Sequence, residues 1–254
     1  MIRPRIIPAL LIKDEGLVKT RKFQKPRYIG EPINAVKIFN GKEVDELVIL
    51  DISAGITSKG PNFKLIKNIA AESFMPFGYG GGISNISEIE QLFSLGVEKV
   101  ILNSAAYFNS DLISEASEIY GNQSIVVSVD FKKRYLRGYG VYVNGGRRNV
   151  SNNLVEYVQL MEHYGAGEIL LTSIDNDGMM AGYDIEVIRK VSEAVKIPVV
   201  ACGGAGNIEH LHNVINNGKS SAAAAGSMFI YNGVHRAVLI NYPEYKKLLE
   251  IIRD

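Results

Sequence analysis

Eight apolar runs rich in β-branched residues punctuate this chain: Ile6–Ile12, Glu46–Ile52, Met75–Tyr79, Lys99–Asn103, Ser124–Phe131, Glu168–Ser173, Pro198–Cys202 and a short one near Ala222–Ala225. Runs apolar at successive positions, rather than alternate ones, belong to strands buried on both faces, as in a parallel sheet covered by helices. Between them lie stretches with helical spacing, such as Phe63, Ile66, Ile69 and Ala70, then Ile86, Ile89, Leu92 and Phe93, then Leu154, Val158 and Met161, then Ile185, Ile188 and Val191. Asn85, Ser151 and Asn207 stand where helix N-caps are expected, and Gly96, Gly121, Gly165 and Gly218 where helices end. Eight βα units in 254 residues is the arithmetic of a (β/α)8 TIM barrel. Open doubly wound sheets stop at about five to seven strands. No linker divides the chain, so one domain over residues 1–254 is expected.

The chain also repeats itself. With Glu46 placed on Glu168, an offset of 122 residues, Pro76 falls on Pro198, Gly81 on Gly203, Gly82 on Gly204, Asn85 on Asn207 and Ile86 on Ile208. The expected barrel is therefore a doubled half-barrel, with halves of about 1–122 and 123–254.

Composition narrows the function classes. Charged residues nearly cancel, 28 Lys and Arg against 27 Asp and Glu, which argues against bulk electrostatic binding of nucleic acid. The single cysteine cannot form an internal disulfide, and the N-terminal apolar run ends at Lys13, too short for a membrane span. A cytoplasmic protein is expected. Four histidines without metal-ligand spacing give no reason to expect a metal, and Cys202, ending a buried run, reads as a small core residue.

Chemistry concentrates where the strands end. Gly80-Gly81-Gly82 follows the third run and Gly203-Gly204-Ala205-Gly206 the seventh. Glycines at a helix start let backbone N–H groups close on a phosphate, although they also simply make tight turns. Each motif has a partner one strand on, Asn103-Ser104 and Gly226-Ser227, so the repeat predicts two phosphate sites across the barrel mouth and a ligand phosphorylated at both ends. Two long excursions, Lys13–Gly30 and Lys132–Asn149, read as loops over the same mouth, the first rich in Lys and Arg, including Lys19. Asp51, Asp130, Asp175 and Asp177 stand at strand ends, where a carboxylate can act as general acid or base; Asp130, closing VVSVD, is the leading candidate. At the opposite ends stand Arg5, Glu46, Lys99 and Glu168, which read as solvated flanks or as a mutually neutralised ring.

Taken together, RIIPALLIKDEGLVK, DELVILDI, GGGI, EKVILNSAA, VVSVD, GAGEILLTSIDNDG, GYD and IPVVACGGAG resemble, in order and spacing over essentially the whole chain, the HisF family, the cyclase subunit of imidazole glycerol phosphate synthase. The resemblance implies a (β/α)8 barrel that takes ammonia from a HisH-like glutaminase docked at its N-terminal face and uses it on a bis-phosphorylated ribonucleotide. It implies one phosphate site at Gly81, Gly82, Asn103 and Ser104 and another at Asp177, Gly178, Gly203, Gly204, Gly226 and Ser227, with Lys19, Asp51 and Thr172 also among the substrate-binding residues. Arg5, Glu46, Lys99 and Glu168 match the family's ammonia gate, and Asp130 matches one of its two catalytic acids.

The second acid is absent. Where the family reads IIPCLDVKDG, this chain reads IIPALLIKDE, with Leu11 in place of the aspartate. That departure, with KTRKFQKPRYIGEPINAVKIFN and FMPFGYGGGI, resembles a paralogous branch associated with amidination of nucleotide-linked sugars. There the barrel and its glutaminase are thought to supply ammonia to a separate ATP-dependent sugar amidotransferase. Two further readings stand beside this one: a true cyclase of histidine biosynthesis, and a non-catalytic scaffold that activates the glutaminase. No cofactor is expected.

Overall fold

The computed structural model describes residues 4–57, 60–135, 138–244 and 248. Eight parallel strands close on themselves: β1 Arg5–Lys13, β2 Leu47–Asp51, β3 Phe77–Gly80, β4 Lys99–Leu102, β5 Ile125–Arg134, β6 Glu168–Ser173, β7 Val199–Cys202 and β8 Ala222–Ala225. Each pairs with the next, and β8 returns to β1 through Arg5 opposite Ala222 and Ile7 opposite Ala224. The eight runs of the sequence are these strands, and the fold is the expected (β/α)8 barrel.

Strand alternation sorts side chains into two populations. Ile7, Ala9, Val48, Ile101, Val126, Leu170, Val200, Ala222 and Ala224 point inward and form one buried cluster, with Leu50 and Cys202 against it. Their neighbours, such as Ile6, Leu10, Ile49, Val127, Leu171 and Ala201, point outward into a larger cluster with helix residues Ile66, Ile89, Val158, Ile188 and Leu211. Because both faces are buried, the strands carry almost no polar positions between their ends, which is why they stand out as continuous runs.

Helix starts are specified by short polar side chains. Asn62, Asn85, Asn153, Asp184 and Asn207 each accept a hydrogen bond from the backbone N–H three residues on. The helix Leu154–His163 is thus capped by Asn153 and not by Ser151, whose hydroxyl instead accepts from the Asn153 N–H at 3.1 Å. Gly96, Gly121 and Gly165 take positive φ where helices end, as expected. Gly218 does not; Lys219 adopts the left-handed conformation there, and Gly218 is needed because a Cβ would lie 2.4 Å from the Val214 carbonyl oxygen.

The two excursions are not loops. The first is a pair of antiparallel strands, Gly16–Arg21 and Gln24–Gly30, extending β1 back over the mouth. The second folds Gly138–Val143 and Arg148–Ser151 onto the extended end of β5. Strands were hidden here by charged, exposed side chains: Gln24 to Tyr28 are exposed throughout. The first excursion also turns through Asp14-Glu15 and Lys22-Phe23, four non-glycine residues at φ between 49° and 65°, instead of the Asn-Gly pair that signals a two-residue hairpin turn.

The 122-residue offset recurs in backbone contacts. A Cβ on Gly81 would lie 2.5 Å from the Asp51 carbonyl oxygen and one on Gly203 2.7 Å from that of Ser173; one on Gly82 would meet the Gly60 carbonyl oxygen and one on Gly204 that of Gly182. Both members of each neighbouring pair, Asp51 with Ser173 and Gly60 with Gly182, are themselves 122 positions apart.

Candidate functional site

At the N-terminal end of the axis the four strand-entering charges meet. The Arg5 guanidinium donates to Glu46 Oε2 and to Glu168 Oε1, and Lys99 Nζ lies 3.0 Å from Glu46 Oε1 and 2.8 Å from Glu168 Oε2. The ring is closed and neutral, and both carboxylates are only 5% exposed. Burial alone would lower the Arg5 pKa, but Glu168 and Glu46 outweigh it and the guanidinium is held more firmly protonated than usual. Immediately above the ring is a cavity of about 10 Å3, floored by Glu46, Lys99 and Glu168 of the ring and walled by apolar residues of the strands such as Ile7, Val126 and Leu170. That is room for one small molecule of the size of water or ammonia.

Above this apolar storey the inward side chains become polar. Ser128 and Asp130 share the inward face of β5 with Val126; Thr172 faces in from β6 directly opposite Asp130, and Cys202 from β7 opposite Thr172. Asn103, just past β4, donates through Nδ2 to the Ser128 carbonyl at 2.9 Å and to Asp130 Oδ2 at 3.2 Å, while Ser128 Oγ reaches Asp130 Oδ1 at 3.4 Å. Burial pushes the Asp130 carboxyl up to about 7, against the hydrogen bond from Ser128, and the nearby charge of Asp177 adds to the rise. A carboxyl poised near neutrality can give or take a proton at working pH. Leu11, on the inward face of β1 above Ile7 and Ala9 and half-buried, brings no second carboxyl to the mouth. Cys202 is half-buried against the inner cluster, and desolvation there pushes its thiol up to about 12, so it is an unreactive core residue.

The glycine motifs hold backbone that only glycine accepts at these positions. Gly81, Gly82, Gly203 and Gly204 all have positive φ, and each stands against backbone so closely that a Cβ would collide with it. Asn85 and Asn207 cap the helices behind them with nearly the same φ, −153° and −155°. Across the mouth, Gly226 and Ser227 open a short helix after β8, and Ser104 opens one after β4.

Each hairpin reaches one of these corners. From the first, Lys19 is 5% exposed and its ammonium donates to the Ala9 carbonyl at 2.6 Å beside Gly226, where a Cβ would come within 2.3 Å of Nζ. Burial lowers the Lys19 pKa to about 8, with Asp177 and Cys202 opposing the drop. Thr20 Oγ1 donates to Asp177 Oδ2 at 2.7 Å, the Phe23 and Lys22 N–H groups donate to the Asp177 side chain and carbonyl, and Gly178 packs against the Thr20 carbonyl. Burial raises the Asp177 pKa despite these bonds. From the second hairpin, Asn144 bonds Ser104 through its amide oxygen, at 3.0 Å, and its backbone N–H, at 3.2 Å.

The remaining strand-end acids have structural partners. Asp51 Oδ1 accepts from the Ser53 N–H, the Ser53 hydroxyl and the Ala54 N–H, and Asp175 accepts from the Lys133 N–H at 2.9 Å. Residues that the sequence reading passed over are Ser128, Thr20, Asn144 and Arg236, whose guanidinium donates to the Gly178 and Met179 carbonyls. Only Ser128 carried a signal: it lies two residues before Asp130 on a strand and so shares its face.

Similarity to known proteins agrees with this geometry. Residues 5–236 match the model of the histidine biosynthesis protein family. A Pseudomonas aeruginosa protein provisionally named imidazole glycerol phosphate synthase subunit hisF2 is 48% identical over 98% of this chain and 99% of its own length. The chain belongs to the HisF family. Other HisF relatives include one from Leptospira borgpetersenii, likewise provisionally named, at 50% identity over 96% of both chains, and the HisF subunit of Natranaerobius thermophilus, at 42% over 95% of this chain and 96% of its own. Among the described residues of this HisF homologue no helix is long and apolar enough to cross a membrane, and no group of His, Cys, Asp and Glu gathers as a metal site would.

Proposed function

We propose that this HisF homologue is the synthase-like subunit of a glutamine amidotransferase, taking ammonia from a HisH-like glutaminase through the barrel axis and holding a bis-phosphorylated ligand at the mouth. Its product nitrogen serves sugar amidination, in concert with an ATP-dependent amidotransferase, in the cytoplasm. The observation that carries the reading is the pairing of a closed Arg5–Glu46–Lys99–Glu168 ring at one end of the axis with Asp130 at the other, where Leu11 leaves β1 without a carboxyl. A neutral ring beneath a one-molecule cavity suits passage of neutral ammonia and disfavours ions of either sign. Ring closure of an imidazole needs proton transfers on both sides of the substrate, and Leu11 can neither give nor take a proton.

The two corners, Gly81, Gly82, Asn103 and Ser104 on one side and Asp177, Gly178, Gly203, Gly204, Gly226 and Ser227 on the other, are the proposed phosphate sites. Lys19 supplies a cation at the second, while Asp51 and Thr172 complete the ligand-facing set. The test is cyclase turnover with an ammonium salt and the bis-phosphorylated ribonucleotide substrate. Turnover at least a hundredfold below that of a two-acid relative is expected, the scale of one lost general acid or base being about 10²–10⁴; turnover equal to the relative's refutes the reading.

The second reading, a cyclase of histidine biosynthesis, is favoured by the names and 42% to 50% identity of the HisF relatives. Replacing Asp130 with Asn separates both from a non-catalytic scaffold: unchanged output with an intact glutaminase complex favours the scaffold.

A further inference from the structure

One buried polar group of the proposed ligand-facing set is left unsatisfied among the described residues. The Thr172 hydroxyl is buried, faces the barrel axis and has no hydrogen-bond partner among the described residues; the Cys202 thiol stands beside it without meeting hydrogen-bond geometry. A buried hydroxyl without a partner costs about 1–3 kcal/mol, so an orphan aimed into a site is a place where something polar belongs. Directly across the strand pair is Asp130, and one layer lower Ser128, opposite Leu170, turns its hydroxyl to Asp130 Oδ1. Thr172 and Asp130 stand in the layer above the apolar storey over the ring cavity, and Ser128 is level with Leu170 at the top of that storey.

We propose that Thr172 Oγ1, Ser128 Oγ and the Asp130 carboxylate form a holding site for one ammonium ion at the upper end of the axis. The inference rests on ammonia reaching this point through the barrel. The step is a proton transfer: the lone pair of arriving ammonia forms a new N–H bond, the carboxyl O–H bond of Asp130 breaks and its electron pair stays on the carboxylate. An ion pair results, ammonium against Asp130. An ammonium ion points its N–H donors tetrahedrally, and two hydroxyl oxygens and a carboxylate on adjacent strands offer acceptors from one side. Protonated Asp130 has a proton to give, being held up to about 7 by burial.

The charges that reach this point are few. Asp177, past β6, lies near Asp130 and favours a cation; Tyr157, on the helix behind, and Cys202 both remain neutral at working pH. Lys19, the buried cation of the first hairpin, is engaged with the Ala9 carbonyl and feels Asp177 and Cys202, not Asp130. With Leu11 on the inward face of β1, that strand brings no carboxyl to the ion, and Asp177 is the other acid that acts on Asp130.

The experiment follows the Asp130 carboxyl by NMR of the chain labelled with carbon-13 at aspartate carboxyls, titrated in ammonium, potassium or tetramethylammonium chloride. Ammonium is expected to lower the Asp130 midpoint by about half a pH unit relative to tetramethylammonium, because a cation alongside favours the ionised form. Thr172→Val, close in shape, and Ser128→Ala are each expected to abolish most of that difference while the spectrum stays that of a folded chain. Identical titrations in ammonium and tetramethylammonium overturn the proposal, as does an equal effect of potassium or full retention in both variants. Ammonium is supplied from solution, so failure here is separable from failure of the channel, which is read by transfer of glutamine amide nitrogen in the complex with the glutaminase.

Discussion

Replacing Glu168 with Ala tests whether the charges under the barrel form a single unit. The side chain accepts from Arg5 and Lys99 at once, so its loss leaves both cations to Glu46 and changes the ring from neutral to a net charge of +1. Removing one partner of a fully buried pair costs about 3–5 kcal/mol. The Arg5 and Lys99 side chains keep 29% and 23% of their exposure and retain one carboxylate, so water recovers part of that cost. We expect a loss of about 2–3 kcal/mol, which in a chain of this size lowers Tm by roughly 5–10 °C. Lacking tryptophan, the chain is best followed by far-ultraviolet circular dichroism during urea unfolding. The double variant Glu168→Gln, Lys99→Met restores neutrality and is expected to be more stable than Glu168→Gln alone. A loss below about 0.5 kcal/mol, the scale of an exposed pair, or strict additivity in the double variant, refutes the description of the ring as one buried unit.

Other consequences are equally direct. Asp130 has a folded pKa of about 7, above the ordinary carboxylate value, so the folded state binds its proton more tightly and this contribution to stability is full below about pH 4, falls as pH rises and is gone above about 7. Asp130→Asn is therefore expected to flatten that slope and to be more stable than the parent at pH 8, by about 4 kcal/mol at most; urea titrations across this range would contradict it if the variant were weaker at pH 8. Leu11→Asp returns a carboxyl to the inward face of β1 and is expected to raise ammonium-dependent cyclase turnover at least tenfold, as measured by loss of the ribonucleotide substrate. Gly178→Ala puts a Cβ 2.1 Å from the Thr20 carbonyl oxygen, so hydrogen exchange of Gly16–Gly30 should quicken sharply. Gly145→Ala, at φ 63° with open space around it, should cost only about 1–2 kcal/mol of backbone strain.

The barrel was legible because its strands are buried on both sides. Val126 and Val127 face opposite ways yet both meet apolar neighbours, so the run never alternates. The ring could be suspected but not assembled, since one strand-entering Glu looks like any other until closure brings β2 and β6 across the axis. The hairpins escaped because their signal is one of pairing and not of composition: Lys19 is buried while Lys22 is exposed, and nothing local to either tells them apart. Thr172 could be placed at a strand end, but its lack of a partner depends on what faces it from β5 and β7.

The turns of the first hairpin bear on how the protein can be engineered. Asp14, Glu15, Lys22 and Phe23 all hold left-handed backbone that glycine or asparagine would hold at less cost. The strand pair laid over the mouth is thus buckled to Asp177 at its Lys22-Phe23 bend, and both its bends carry left-handed backbone. Relaxing the Asp14-Glu15 bend to Asn-Gly would stabilise the strand pair while leaving in place Lys22 and Phe23, whose N–H groups bond Asp177.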